Sequence, residues 1–190
     1  MFQTFETPDN NPRDTADRVA RLRDIMLRTG LDAVLIPHAD EYMNEYVPPC
    51  GQRLAWLTGF TGSAGMAAVA RKSAALFVDG RYILQAPEQV DTGIFEVLQV
   101  PAAKVSDWLG KTLKPDAVVG FDPWLHAPGA VDDLAGELEA KRIKLKPLSR
   151  NPVDRVWGRK RPKPPQGMVV PHALKYAGKP AEEKLKEVQA

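Results

Sequence analysis

Two short apolar runs, Gly65–Ala70 and Ser73–Val78, are separated by nothing but Arg71-Lys72. A two-residue polar link between such runs reads as a tight turn, so the pair is expected to form an antiparallel hairpin. The runs on either side keep a different rhythm. Asp32–Pro37 (DAVLIP), Ile94–Val100 and Ala117–Phe121 (AVVGF) are short apolar segments suited to buried strands, and Ile143–Leu148 alternates Ile143, Leu145 and Pro147 on one face. Helical spacing lies between them. Val19, Leu22, Ile25 and Met26 define a first helix, capped by Asp14 or Thr15 and stopped by Gly30. Further helices are expected over Arg81–Val90, limited toward its end by Pro87, over Val105–Leu113 and over Val131–Ala140. Strands alternating with helices, interrupted by one hairpin, predict an α/β domain: a mixed β-sheet flanked by helices on both faces.

The domain has limits. Residues 1–13 are polar, contain Pro8 and Pro12, and read as an extended N-terminal arm. The α/β domain is expected over 14–157. Prolines then crowd the chain: of 17 in 190 residues, seven fall in the last 44. Lys141–Lys163 carries ten Lys/Arg against one acid, Asp154. Such a segment has little to bury, so residues 158–178 are expected to be an extended basic, proline-rich linker. Lys179–Val188 resumes helical amphipathicity with only Leu185 and Val188 to bury. Residues 179–190 therefore read as the start of a second, truncated domain.

Charge and composition exclude several function classes. The net charge is +2, too balanced to indicate a nucleic acid or a membrane surface as partner. Within the basic stretch the aromatics reduce to Trp157, so base-stacking platforms are missing. The other 167 residues carry a net −7, which suggests that the basic strap lies against an acidic surface, the chain's own or a partner's. Apolar runs are far shorter than the roughly 18 residues a membrane-spanning helix needs. The N-terminus lacks the pattern of a secretory signal. One cysteine, Cys50, excludes an internal disulfide framework or a thiolate zinc cluster. These features describe a soluble cytoplasmic protein.

Candidate chemistry is sparse. Gly59, Gly62 and Gly65 are spaced G-x-x-G-x-x-G, which is neither a dinucleotide fingerprint nor a P-loop. Thr61 stands where a nucleophile elbow needs glycine. A tight turn with positive φ or close backbone packing accounts for them. His38, His126 and His172 have no partners at metal-ligand spacing, and D-x-x-x-H from Asp122 to His126 lacks a second carboxylate. Cys50 reads as a structural thiol, and Trp56, Trp108, Trp124 and Trp157 as core. Asp79-Gly80-Arg81-Tyr82 is different. It closes a buried strand and opens a helix, where α/β folds place binding residues. Arg81 is suited there to a two-pronged contact with a carboxylate or peptide carbonyls, or else to a surface pairing with Asp79.

Four strings taken together carry a resemblance. EYVPPCGQRLAWLTGFTGSAG at 45–65, LFVDGRYILQA at 76–86, VGFDP at 119–123 and NPVDRVW at 151–157 resemble, in order and spacing, the N-terminal region of the Xaa-Pro aminopeptidases. These are the aminopeptidase P members of the creatinase/prolidase superfamily, here the three-domain cytosolic type. Thr61 departs from relatives that often carry an acid at that position. The resemblance implies a creatinase-like N-terminal fold and a hydrolase that removes the residue preceding proline. It places the chemistry in a C-terminal domain with two divalent metals, usually manganese, held by two Asp, one His and two Glu. None of that ligand set is in these strings. The resemblance thus implies a chain with no catalytic or metal-binding residues of its own, serving substrate access and the subunit contacts of a homodimer. Its partners would be the missing catalytic domain and Xaa-Pro peptides, and Arg81 would contribute to substrate binding. A stand-alone, non-catalytic interaction module that has kept the fold is the alternative.

Overall fold

The computed structural model describes residues 12–190, so the expected arm lies outside the described residues except for Pro12 and Arg13. Those two open the first helix, α1 (Pro12–Thr29), which begins earlier than the expected cap at Asp14 or Thr15. Proline needs no N–H in a first turn, so Pro12 is a natural first residue, and Asp14 falls where the helix dipole favours an acid. The stop falls as expected at Gly30, which takes the left-handed φ of 69°.

Six strands follow: β1 (Ala33–Pro37), β2 (Gly65–Ala70), β3 (Ala74–Val78), β4 (Phe95–Gln99), β5 (Val118–Phe121) and β6 (Lys144–Pro147). They form one sheet in the order β4-β3-β2-β1-β5-β6. The expected hairpin is β2–β3, with Val69 opposite Ala74 and Met66 opposite Phe77. β2 is also antiparallel to β1, whereas β1–β5, β3–β4 and β5–β6 are parallel. Five strands therefore run the same way and β2 alone runs against them.

Strand side chains alternate between two faces, each with its own helices. On one face Val34, Ile36, Val69, Leu76 and Val78 pack with Val19, Leu22 and Met26 of α1. α2 (Arg53–Thr58), α3 (Gln85–Gln89) and α6 (Pro152–Trp157) complete that layer through Leu54, Leu57, Ala86, Val153 and Val156. On the other face Leu35, Ala68, Phe77 and Val119 meet Trp108 and Leu109 of α4 (Val105–Thr112) and Leu138 of α5 (Pro128–Glu139). The exposed edge strand β6, Lys-Leu-Lys-Pro, carries charge and proline, which discourage pairing with another chain.

The structure corrects several local expectations. The helix expected over Arg81–Val90 is two pieces, a single 3₁₀ turn at Gly80–Tyr82 and then α3. Pro87 does not limit α3. It is the third of its five residues, within the first turn, where a missing N–H costs no helical bond. Trp124 is not core but 72% exposed, on a 3₁₀ turn (Pro123–Leu125) that buries Leu125 instead. Trp56 and Trp157 do stack, with centroids 4.9 Å apart, joining α2 to α6. Parts of the basic strap pair with acids of this chain: Lys141 with Asp107, Arg142 with Asp116 and Arg161 with Asp154, while residues 162–173 are exposed. Beyond them come α7 (Leu174–Ala177) and α8 (Ala181–Gln189), which leave Leu185 and Val188 exposed.

Candidate functional site

Because five strands point the same way, the loops after β1, β3, β5 and β6 emerge at one edge, together with the turn that enters β2. This carboxyl edge carries large side chains that the core leaves out: Tyr42, Tyr46, Ile83, Leu84 and Trp124 are all exposed. Met43, beside Tyr42, is exposed as well, and elsewhere between residues 14 and 157 Leu27 is the one comparable exposed side chain. Apolar surface gathered at one end of a sheet marks a place of contact rather than random scatter.

Arg81 stands on this edge. Asp79 caps the Gly80–Tyr82 turn by accepting from the Arg81 backbone N–H at 2.9 Å. Its carboxylate also receives the Arg81 side chain, from Nε at 3.1 and 3.2 Å and from Nη2 at 2.7 Å. Both pKa values respond: the Arg81 fork holds the Asp79 carboxyl below its ordinary value, and Asp79 raises that of the Arg81 guanidinium. The Arg81 side chain is 63% exposed and lies over the Tyr82 ring at 5.1 Å, so it is oriented yet open to a ligand. Asp79 thus occupies one side of the guanidinium, through Nε and Nη2, and among the described residues Nη1 has no hydrogen-bond partner.

The glycine turn packs against the same segment. Gly59 has φ 88° and ends α2. A Cβ on Gly62 would sit 2.3 Å from Phe60 Cζ and 2.8 Å from Tyr82 Cδ1, so only glycine fits between the two rings. Tyr82 Oη accepts from the Ser63 N–H at 3.1 Å and lies 2.8 Å from Ser63 Oγ. Thr61 is held by Gln89, whose Oε1 accepts from the Thr61 N–H at 3.0 Å and whose Nε2 donates to Thr61 Oγ1 at 2.9 Å. The turn therefore positions the D-G-R-Y segment, a structural role in keeping with the sequence reading.

A second cluster was not legible from local pattern. Arg53, 2% exposed, donates to Asp154 from Nε (2.8 Å) and Nη2 (3.2 Å) and to Glu41 from Nη2 (2.9 Å). Burial alone would lower the guanidinium pKa, but Asp154 and then Glu41 outweigh it and raise it. Arg161 adds a 2.7 Å bond to Asp154 and a 2.8 Å bond to the Cys50 carbonyl. Both Arg53 and Asp154 lie within the recognised strings, but their partnership spans 101 residues.

The remaining candidates stay apart. His126 Nδ1 is bonded to the Asp122 backbone carbonyl at 2.8 Å, and Cys50 is a buried free thiol. Among the described residues, no three His, Cys, Asp or Glu side chains converge as ligands for a metal. They therefore do not fit a two-metal centre. No described helix is long and apolar enough to cross a membrane.

Fold and edge together define the class: residues 18–156 match the creatinase/prolidase N-terminal domain, and the chain belongs to that family. Over 182 residues it is 36% identical to a probable Xaa-Pro aminopeptidase P of Blastomyces gilchristii, a match covering 94% of this chain and 29% of that protein. Its fold superposes with a TM-score of 0.81 on the X-prolyl aminopeptidase of Caenorhabditis elegans, a cytosolic enzyme with a di-nuclear active site. That pair is 28% identical and covers 92% of this chain and 30% of the worm enzyme. The N-terminal domain of the peptidase PepQ from Mycobacterium tuberculosis is similar too, with a TM-score of 0.58 and 28% identity over 74% of this chain and 98% of that domain. The chain thus spans under a third of the length of the two aminopeptidases. The family and the mixed α/β fold expected from the sequence both hold.

Proposed function

We propose that this chain is the N-terminal, non-catalytic domain of a metal-dependent Xaa-Pro aminopeptidase, a hydrolase that removes the residue preceding proline. The observation that carries this reading is the Asp79-held Arg81 on an edge crowded with exposed aromatic and apolar side chains. A catalytic domain closing over that edge would complete a cleft, and Arg81 would anchor a substrate carbonyl or carboxylate there. A guanidinium suits the task, because it stays charged and presents rigid donors. In this reading residues 14–157 form the domain, 158–178 connect, and 179–190 begin a second domain. Two divalent metals, manganese in kind, belong to the catalytic domain, and the enzyme is a cytoplasmic homodimer whose N-terminal domains shape substrate access.

The test is to assay the purified chain with manganese on an Xaa-Pro peptide. No turnover is expected. Turnover that survives stringent purification and disappears with a chelator would overturn the non-catalytic reading.

A further inference from the structure

The strand order changes direction at one place. From β1 the chain moves outward through β2, β3 and β4, then crosses to the opposite flank of β1 to form β5 and β6. β1 and β5 are parallel neighbours, and the loops leaving their carboxyl ends diverge. In open α/β sheets a crevice between such strands is where ligands bind. A pocket of about 630 Å³ lies here, walled by Tyr42 from the loop after β1, Trp124 from the turn after β5, and Arg150 and Arg155 beyond β6. Its volume falls in the range of small-molecule sites.

The wall chemistry selects the ligand. Three carboxylates line the pocket, and each is already engaged. Glu41 and Asp154 are paired with Arg53, and Asp122 accepts from Asn151 Nδ2 at 2.9 Å and from the Trp124 N–H at 3.1 Å. Four arginines face them, leaving one positive charge in excess. Arg150 and Arg155 are exposed and, among the described residues, take part in no ion pair, and the buried Arg53 keeps Nη1 without an acceptor there. Trp124 and Tyr42, residues 72% and 83% exposed, bring aromatic rings to the wall. We infer that this pocket binds a small oxyanion, a carboxylate or a phosphate, attached to a flat ring. The free guanidinia take the oxyanion, for which their donor geometry is matched, and the rings take the flat portion. The site is separate from Arg81, which lies after β3 and does not line the pocket.

The experiment uses the 190-residue chain, with N-acetylphenylalanine and adenosine monophosphate as probes and sulfate as the bare anion. Calorimetry and tryptophan fluorescence are expected to show saturable one-site binding of at least one ring-bearing probe, tighter than sulfate. Preference for the first identifies a carboxylate ligand, and preference for the second a phosphate. Arg150→Gln with Arg155→Gln should weaken binding about tenfold per arginine. Trp124→Leu should weaken binding as well and remove most of the fluorescence response. The pair Arg71→Gln and Lys72→Gln, at the opposite edge, should leave affinity unchanged. Absence of saturation up to about 10 mM, affinity no better than that of sulfate, or indifference to the double variant would overturn the inference.

Discussion

Arg53 and Asp154 stand 101 residues apart in sequence and form a two-pronged ion pair at 2.8 and 3.2 Å. The pair ties the start of α2 to α6, and Arg161 donates to the same carboxylate, fixing where the chain leaves the domain. Asp154→Asn would leave Arg53 buried with Glu41 as its remaining counter-charge. Breaking one side of a buried pair costs about 3–5 kcal/mol, so urea denaturation should show a loss of that order. A loss under about 0.5 kcal/mol would place the pair among ordinary surface contacts.

Gly62 lies between the Phe60 and Tyr82 rings. Gly62→Ala inserts a methyl group where Phe60 Cζ would be 2.3 Å away, and one of the rings must move. Overpacking of this kind typically costs about 1–3 kcal/mol. A melting temperature equal to that of the parent would show that the turn has slack which this packing does not provide.

Acid should destabilise the domain in two stages. Burial pushes the His38 imidazole below its ordinary pKa, more than the nearby Glu45 and Asp40 restore it. Burial would raise Asp40, but the Asn44 amide, the Asn44 side chain and the Tyr42 amide outweigh it and hold the carboxyl low. A histidine whose folded pKa is depressed costs stability as pH falls below about 6.5, and a depressed carboxyl costs it as pH falls below about 4. Thermal unfolding followed over that range should show both stages. His38→Gln should flatten the upper one. Asp40→Asn should flatten the lower one and cost about 1–3 kcal/mol at neutral pH, because the Asn44 side-chain amide loses its acceptor oxygen and meets an N–H donor instead. Profiles that do not change in either variant would assign the acid response to other groups.

What the sequence made legible was local. The β2–β3 hairpin follows from a two-residue link, and the buried strands from short apolar runs, because period and turn chemistry act over a few residues. The pairing of Arg81 with Asp79 was legible for the same reason, since the two are two positions apart. Arg53 was not, because its acceptor lies across the fold and a lone arginine beside Leu54 gives no local signal. The Trp124 environment misled, since apolar neighbours in sequence need not share a face in a 3₁₀ turn. α6 went unread although Asn151 caps it and Pro152 opens it, the usual start signal. Its six residues lie inside a basic stretch whose composition resembles a connector.

The central claim is that this edge serves a catalytic domain through Arg81. It is tested most directly in a chimera in which this chain replaces the corresponding segment of the C. elegans X-prolyl aminopeptidase. The chimera should cleave Xaa-Pro peptides with manganese. In it, Arg81→Lys should lower kcat/KM by about tenfold to a hundredfold, because lysine keeps the charge and loses the fork, while the melting temperature stays unchanged. Unaltered kcat/KM accompanied by a lower melting temperature would contradict the account and leave Arg81 as a tie for the Asp79 turn.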